Sequence, residues 1–212
     1  MPRPIKIDID PANVSTTQFG NGVNATGGTA FTLAASSCGD SLAHQLSFAP
    51  SGSVSGSYVI TGTDADGKTQ TETVATSTTN TVESTKYFLT VTEILAPAGI
   101  GAETIDIGFV DEVASKTIVL NHYGNNAASV DLDVTGTVSV TIQDTLDDIF
   151  NPDIMTDQDA VHWTADANFS TKSADTQAQL ARPGVRAIRV IFNSYTDTAE
   201  AQVYITQSGI NR

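Results

Sequence analysis

The sequence predicts an all-β chain: antiparallel, β-sandwich or jelly-roll-like, with little helix. Three observations predict it. Residues alternate in character with a period of two over Thr69–Val74, Thr137–Ile142 and Ala201–Thr206. Side chains on a strand point to opposite faces in turn, so such runs describe strands with one buried and one wet face. Gly, Asn and Asp recur between these runs at intervals of roughly 8–12 residues, the spacing of sandwiches and jelly rolls. Finally, a chain of 212 residues that is 40% hydrophobic holds enough apolar material for one large core or two small ones.

The elements follow in order. Ile5-Lys6-Ile7-Asp8-Ile9 alternates between prolines and reads as an edge strand, or as an arm pairing with a neighbour. Residues 20–28 are rich in Gly and Asn and read as loop. Strands are expected at 29–34, 44–49, 57–63, 69–75, 87–95, 104–110 and 116–121. The sharpest turn is Asp64-Ala65-Asp66-Gly67 between Tyr58-Val59-Ile60 and the Thr/Glu alternation, a hairpin signature. A second block begins near residue 112, giving expected domains of 1–112, including the N-terminal arm, and 113–212. Its strands are expected at 129–134, 137–143, 161–165, 185–192 and 201–206. The acidic segment 144–160 has room for one helical turn, but Pro152 and its Asn/Asp density stop a long helix. Residues 172–181 read as a short helix or an ordered loop. The halves show no sequence repeat.

The charge balance narrows the partners. Ten bases against 24 acids give a net charge of −14. Phosphate neutralisation needs clustered Lys and Arg, so no nucleic-acid partner is expected, and the same charge disfavours anionic lipid. No apolar stretch approaches the roughly 18 residues of a membrane span, so no membrane partner is expected. The first residues, Met1 to Lys6, lack the apolar run of a signal peptide. The single cysteine, Cys38, forms no intrachain disulfide, which mildly favours assembly in a reducing cytoplasm.

Each constellation with chemical potential has a plain reading beside it. Asp64, Asp66 and Glu72 resemble the start of a calcium loop, but Lys68 and Ala75 stand where the EF-hand pattern needs ligands, so a β-turn is expected. Asp144, Asp147, Asp148, Asp153, Asp157 and Asp159 read as a solvated loop, with a loop cation site or a glycosidase carboxylate pair as alternatives. Cys38 with His44, His122 or His162 is a thiol–base combination by residue type alone. The histidines lack zinc-ligand spacing, and no phosphate-cradling glycine motif is present. No catalytic, cofactor-binding or metal-binding residue is therefore expected. Trp163, beside His162, reads as a core aromatic or as a sugar-stacking platform. Four of the ten bases, Arg182, Arg186, Arg189 and Arg212, fall in the last 31 residues. Arg182, Arg186 and Arg189 read as partners of the acid excess or as interface anchors, and Arg3 and Lys6 as interface residues of an arm that pairs with a neighbour.

Two segments carry a resemblance. One runs from Tyr58 through Lys68 and Glu72-Thr73-Val74 to Ser84–Thr92. The other comprises Thr141–Asp148, then His162-Trp163, then Pro183–Val190. Together they resemble structural proteins of tailed-bacteriophage virions. The resemblance implies a non-enzymatic, all-β module, assembling as a trimer in the bacterial host cytoplasm, that decorates or cements the outer head surface by binding the major capsid protein. It also embraces head-fibre, neck and tail components, whose ligand would be a host-surface glycan with His162, Trp163 or Tyr123 as contacts. An enzyme that cleaves host glycan, built around Asp147, Asp148 or Asp157, is the remaining rival.

Overall fold

A computed structural model describes residues 4–121, 128–151 and 161–207. Among them are fifteen strands and no helix, so the all-β, sandwich-like expectation holds. Arg3, His122, Tyr123, Asp153, Asp157, Asp159 and Arg212 lie outside the described residues.

The chain forms two compact units, Ala12–Asp111 and a second made of Met1–Pro11 with Glu112–Arg212. The sequence places the arm in the block 1–112. It belongs instead with the C-terminal residues, because β1 (Ile5–Ile9) pairs antiparallel with β15 (Glu200–Thr206), Ile5 opposite Ile205 and Ile9 opposite Ala201. It is an edge strand of its own chain.

The unit Ala12–Asp111 contains β2 (Ser15–Val23), β3 (Ala43–Pro50), β4 (Ser57–Thr63), β5 (Thr69–Ala75), β6 (Val82–Glu83), β7 (Thr90–Leu95) and the first residues of β8 (Ile105–Ala114). β4 is flanked by β5 and β7; β3 lies between β6 and β8, and β2 pairs with β8. The β4–β5 hairpin closes as its sequence predicts. Asp64 Oδ1 accepts the Asp66 and Lys68 N–H groups at 2.8 and 2.9 Å, and Gly67 takes φ +79°, a conformation open to glycine at no steric cost. Alternate residues Tyr58 and Ile60 turn inward to a core with Phe19, Leu46, Phe48, Phe88, Ile94 and Phe109. Phe48 and Tyr58 stack there with ring centroids 4.4 Å apart.

Two expectations fail in this unit. Residues 20–23, read as loop, belong to β2, whose pairing with β8 slips twice so that Ser15, Gly20 and Val23 meet Phe109, Ile107 and Ile105. Such bulges let a Gly/Asn-rich segment stay in a sheet while Phe19 is fully buried. Residues 29–34 form no named strand; Ala30 makes a single bridge to Leu95.

The other unit contains two antiparallel arrays. The first is ordered β1–β15–β10–β13, with β10 at Ser129–Thr135 and β13 at Thr176–Gln179. The second is ordered β12–β11–β14, with β11 at Val138–Thr145, β12 at Thr164–Ala165 and β14 at Ala187–Tyr195. β9 (Ile118–Val119) and the Val113–Ala114 end of β8 also pair with β14. Val130, Leu132, Val203 and Ile205 turn inward from the first array; Val140, Ile142, Ile188, Val190 and Phe192 are buried from the second. Here the short helix or loop expected over 172–181 is corrected. Thr176–Gln179 is a strand on β10, half-exposed at the sheet edge, where an alternation of Gln with Thr and Ala carries no hydrophobic signal.

Candidate functional site

Three arginines meet the last residues of β11. Arg189 lies opposite Gln143 in the β11–β14 register, and its Nε–H donates to Gln143 Oε1 at 2.7 Å. Its guanidinium carbon sits 4.7 Å from the centroid of the Trp163 ring, a cation–π arrangement. Trp163 immediately precedes β12, which pairs with Gln143 and Asp144. Arg182 forms an ion pair with Asp144, whose carboxylate is fully buried. The backbone N–H of Arg186 donates to the Thr145 carbonyl at 2.9 Å. Arg182 is thus neutralised by Asp144, and the guanidinium of Arg189 is the group that covers the Trp163 ring.

The residues that follow β11 carry exposed apolar side chains. Leu146 and Phe150 are 52% and 56% exposed, the two most exposed large hydrophobics among the described residues. Asp147 and Asp148 hold the segment. Asp147 Oδ2 accepts the His162 N–H at 2.5 Å, and Asp148 Oδ1 accepts that of Phe150 at 3.3 Å. Arginine and tryptophan beside exposed apolar side chains are the residue types that dominate protein–protein anchors. Sequence reasoning named the arginines, His162 and Trp163. It missed Leu146, Phe150 and Gln143, since exposure of an apolar residue beside a strand end leaves no sequence signature.

The remaining candidates resolve individually. Trp163 is half-buried with Arg189 over its ring. His162 is exposed. Lys6 pairs with Asp8 at 2.8 Å and lies 5.7 Å from the Tyr204 ring centroid; the hydrogen bond to Asp8 holds its pKa above the usual lysine value. Burial first, and then the Asp40 charge, raise the pKa of the Cys38 thiol, which opposes thiolate formation. His44 is fully buried, its Nε2 2.6 Å from Asp40 Oδ2, and its ring packs on Phe109 at 4.6 Å.

The acids serve backbone donors. Asp166, 1% exposed, accepts the Asn168 N–H at 2.8 Å and the Ala181 N–H at 2.6 Å. Glu72 accepts the Thr85 N–H and hydroxyl at 2.7 and 2.8 Å and the Lys86 N–H at 3.0 Å. Burial raises the pKa of Asp64 against the lowering effect of its two backbone bonds. Among the described residues, no three His, Cys, Asp or Glu side chains gather as a metal's ligand set.

No protein-family model matches the chain, and no curated protein matches it. Among solved structures, the major capsid protein P2 from Bacteriophage PM2 is similar over 98% of this chain and 99% of that one, at 9% identity and a TM-score of 0.23. A likeness of that size carries no argument about topology or role.

Proposed function

We propose that this chain is a non-enzymatic virion structural protein of a tailed phage, a decoration or cement protein that binds the major capsid protein on the outer head surface. The observation that carries the reading is the Arg189–Trp163 pair together with exposed Leu146 and Phe150 on the segment that Asp147 ties to His162. It offers a small set of strong anchors on an otherwise acidic, mostly polar module, which is how an interface gains affinity without great area. Leu146, Trp163 and Arg189 lie in the segments Thr141–Asp148, His162-Trp163 and Pro183–Val190, which carry half of the resemblance to virion proteins. The acid excess suits a surface turned away from packaged DNA. Trimeric assembly at lattice three-folds would repeat one contact by closed symmetry. Assembly would take place in the bacterial host cytoplasm.

The test is occupancy on purified shells of the encoding phage that lack the protein. The wild-type chain should bind saturably, and Arg189→Glu or Phe150→Asp should lower occupancy at least tenfold while the variants stay folded. Equal occupancy by the folded variants would refute the patch; absence of wild-type binding would refute the shell partner.

A further inference from the structure

We propose that the outer face of the β1–β15–β10–β13 sheet is a binding site for a neutral saccharide. This goes beyond shell binding, and it uses none of the residues of the arginine–tryptophan patch.

The register assembles the face. Lys6, Tyr204, Asp131 and Gln177 lie directly across the four strands from one another. Thr206, Ser129 and Gln179 form the next row. Their alternating neighbours Val130, Leu132, Val203 and Ile205 are buried, so both rows project from the opposite side. Tyr204, Gln177, Gln179, Asp131, Ser129 and Thr206 line an open groove of about 560 Å³. That lies within the roughly 300–1,000 Å³ of small-molecule sites and has room for a short oligosaccharide.

The chemistry selects the ligand. Each sugar hydroxyl both donates and accepts, and so do the amides of Gln177 and Gln179 and the hydroxyls of Ser129 and Thr206. The Asp131 carboxylate accepts from hydroxyls, including a vicinal pair. The Tyr204 ring offers a flat apolar surface to the C–H face of a pyranose. Its hydroxyl donates to Gln202 Oε1 at 2.8 Å, and Lys6 lies 5.7 Å from its centroid, so the ring is held before a ligand arrives. Among the described residues no cation lines the groove, and Lys6 is paired with Asp8, which disfavours an anionic sugar. One carboxylate is too few to favour a polycationic peptide.

Saturation-transfer NMR and calorimetry on the full chain would test this with neutral malto-, manno-, galacto- and chito-oligosaccharides, with sialyllactose and pentalysine as charged controls. At least one neutral oligosaccharide should bind saturably. Tyr204→Ala and Gln177→Ala should each weaken it at least tenfold with unchanged thermal unfolding, and its amide shifts should centre on Ser129 and Thr206. The proposal is overturned if no neutral sugar binds, if a charged control binds more tightly, or if Trp163→Ala abolishes binding while Tyr204→Ala does not. Shell occupancy, measured on the same Tyr204→Ala protein, should not change, so failure here is separable from failure of the shell reading.

Discussion

Removing the Arg182 head group exposes how this unit is held together. The Asp144 carboxylate is fully buried, and Arg182, with 39% of its side chain exposed, supplies its ion pair. Breaking a buried pair by deleting one partner costs about 3–5 kcal/mol, because the other charge is left uncompensated in a poorly polarisable site. Partial exposure of Arg182 lets water reach one side of the pair, which places Arg182→Met near the lower end, about 3 kcal/mol. Replacing both partners with apolar residues removes the stranded charge. The double variant Arg182→Met/Asp144→Leu should therefore be more stable than Arg182→Met alone, and the two single costs should not add. Urea unfolding followed by fluorescence reads this directly, since Trp163 is the chain's one tryptophan and lies in the same unit as the pair. A single-variant cost below about 1 kcal/mol, or strict additivity in the double variant, would refute the reasoning.

Three further outcomes follow from the same structure. The pKa of Asp40 is lowered although burial alone would raise it, because the His44 hydrogen bond, then the Ala12 N–H, the His44 charge and the Leu42 N–H together outweigh burial. Its stabilisation is thus complete above the ordinary Asp value of about 3.9 and is lost as pH falls through the lower folded value. Asp40→Asn should be less stable than wild type by about 1–3 kcal/mol at neutral pH, with the gap closing toward pH ~2 in urea titrations; a gap independent of pH would contradict this. Cys38 should react with a thiol-specific disulfide reagent at pH ~8 far more slowly in the folded chain than in urea, since burial raises its pKa; equal rates would contradict it. Gly62 sits at the β4–β7 bulge with Thr90 and Phe88 against it, and a methyl there would be driven into the Thr90 carbonyl. Gly62→Ala should cost about 1–3 kcal/mol, measured by thermal unfolding, and an unchanged midpoint would contradict the close approach.

The strands legible in the sequence are those whose alternation separates a wet face from a dry one. β4 and β15 read clearly because Tyr58, Ile60, Val203 and Ile205 are buried between residues that are not. β2 was illegible because bulges break its period at Gly20 and Val23. β13 was illegible because a four-residue edge strand of Gln, Thr and Ala has no apolar face to display. The assignment of the arm was hidden for a different reason. Ile5 and Ile205 meet across almost the whole chain, and the alternation of β1 says nothing about which strand it will pair with. For the arginine–tryptophan patch the residue types were legible but their roles were not. Arg182 and Arg189 are close in sequence, yet one neutralises a buried carboxylate and the other covers a tryptophan ring. Those roles depend on β11, whose partners lie 38 and 46 residues away along the chain.

The central claim, a virion structural role, is tested most directly by copy number. Quantitative mass spectrometry of purified particles of the encoding phage would compare this chain with the major capsid protein. A lattice-wide decoration protein predicts on the order of hundreds of copies per particle, as repeated shell sites require. Absence of the chain from the particles would contradict the account.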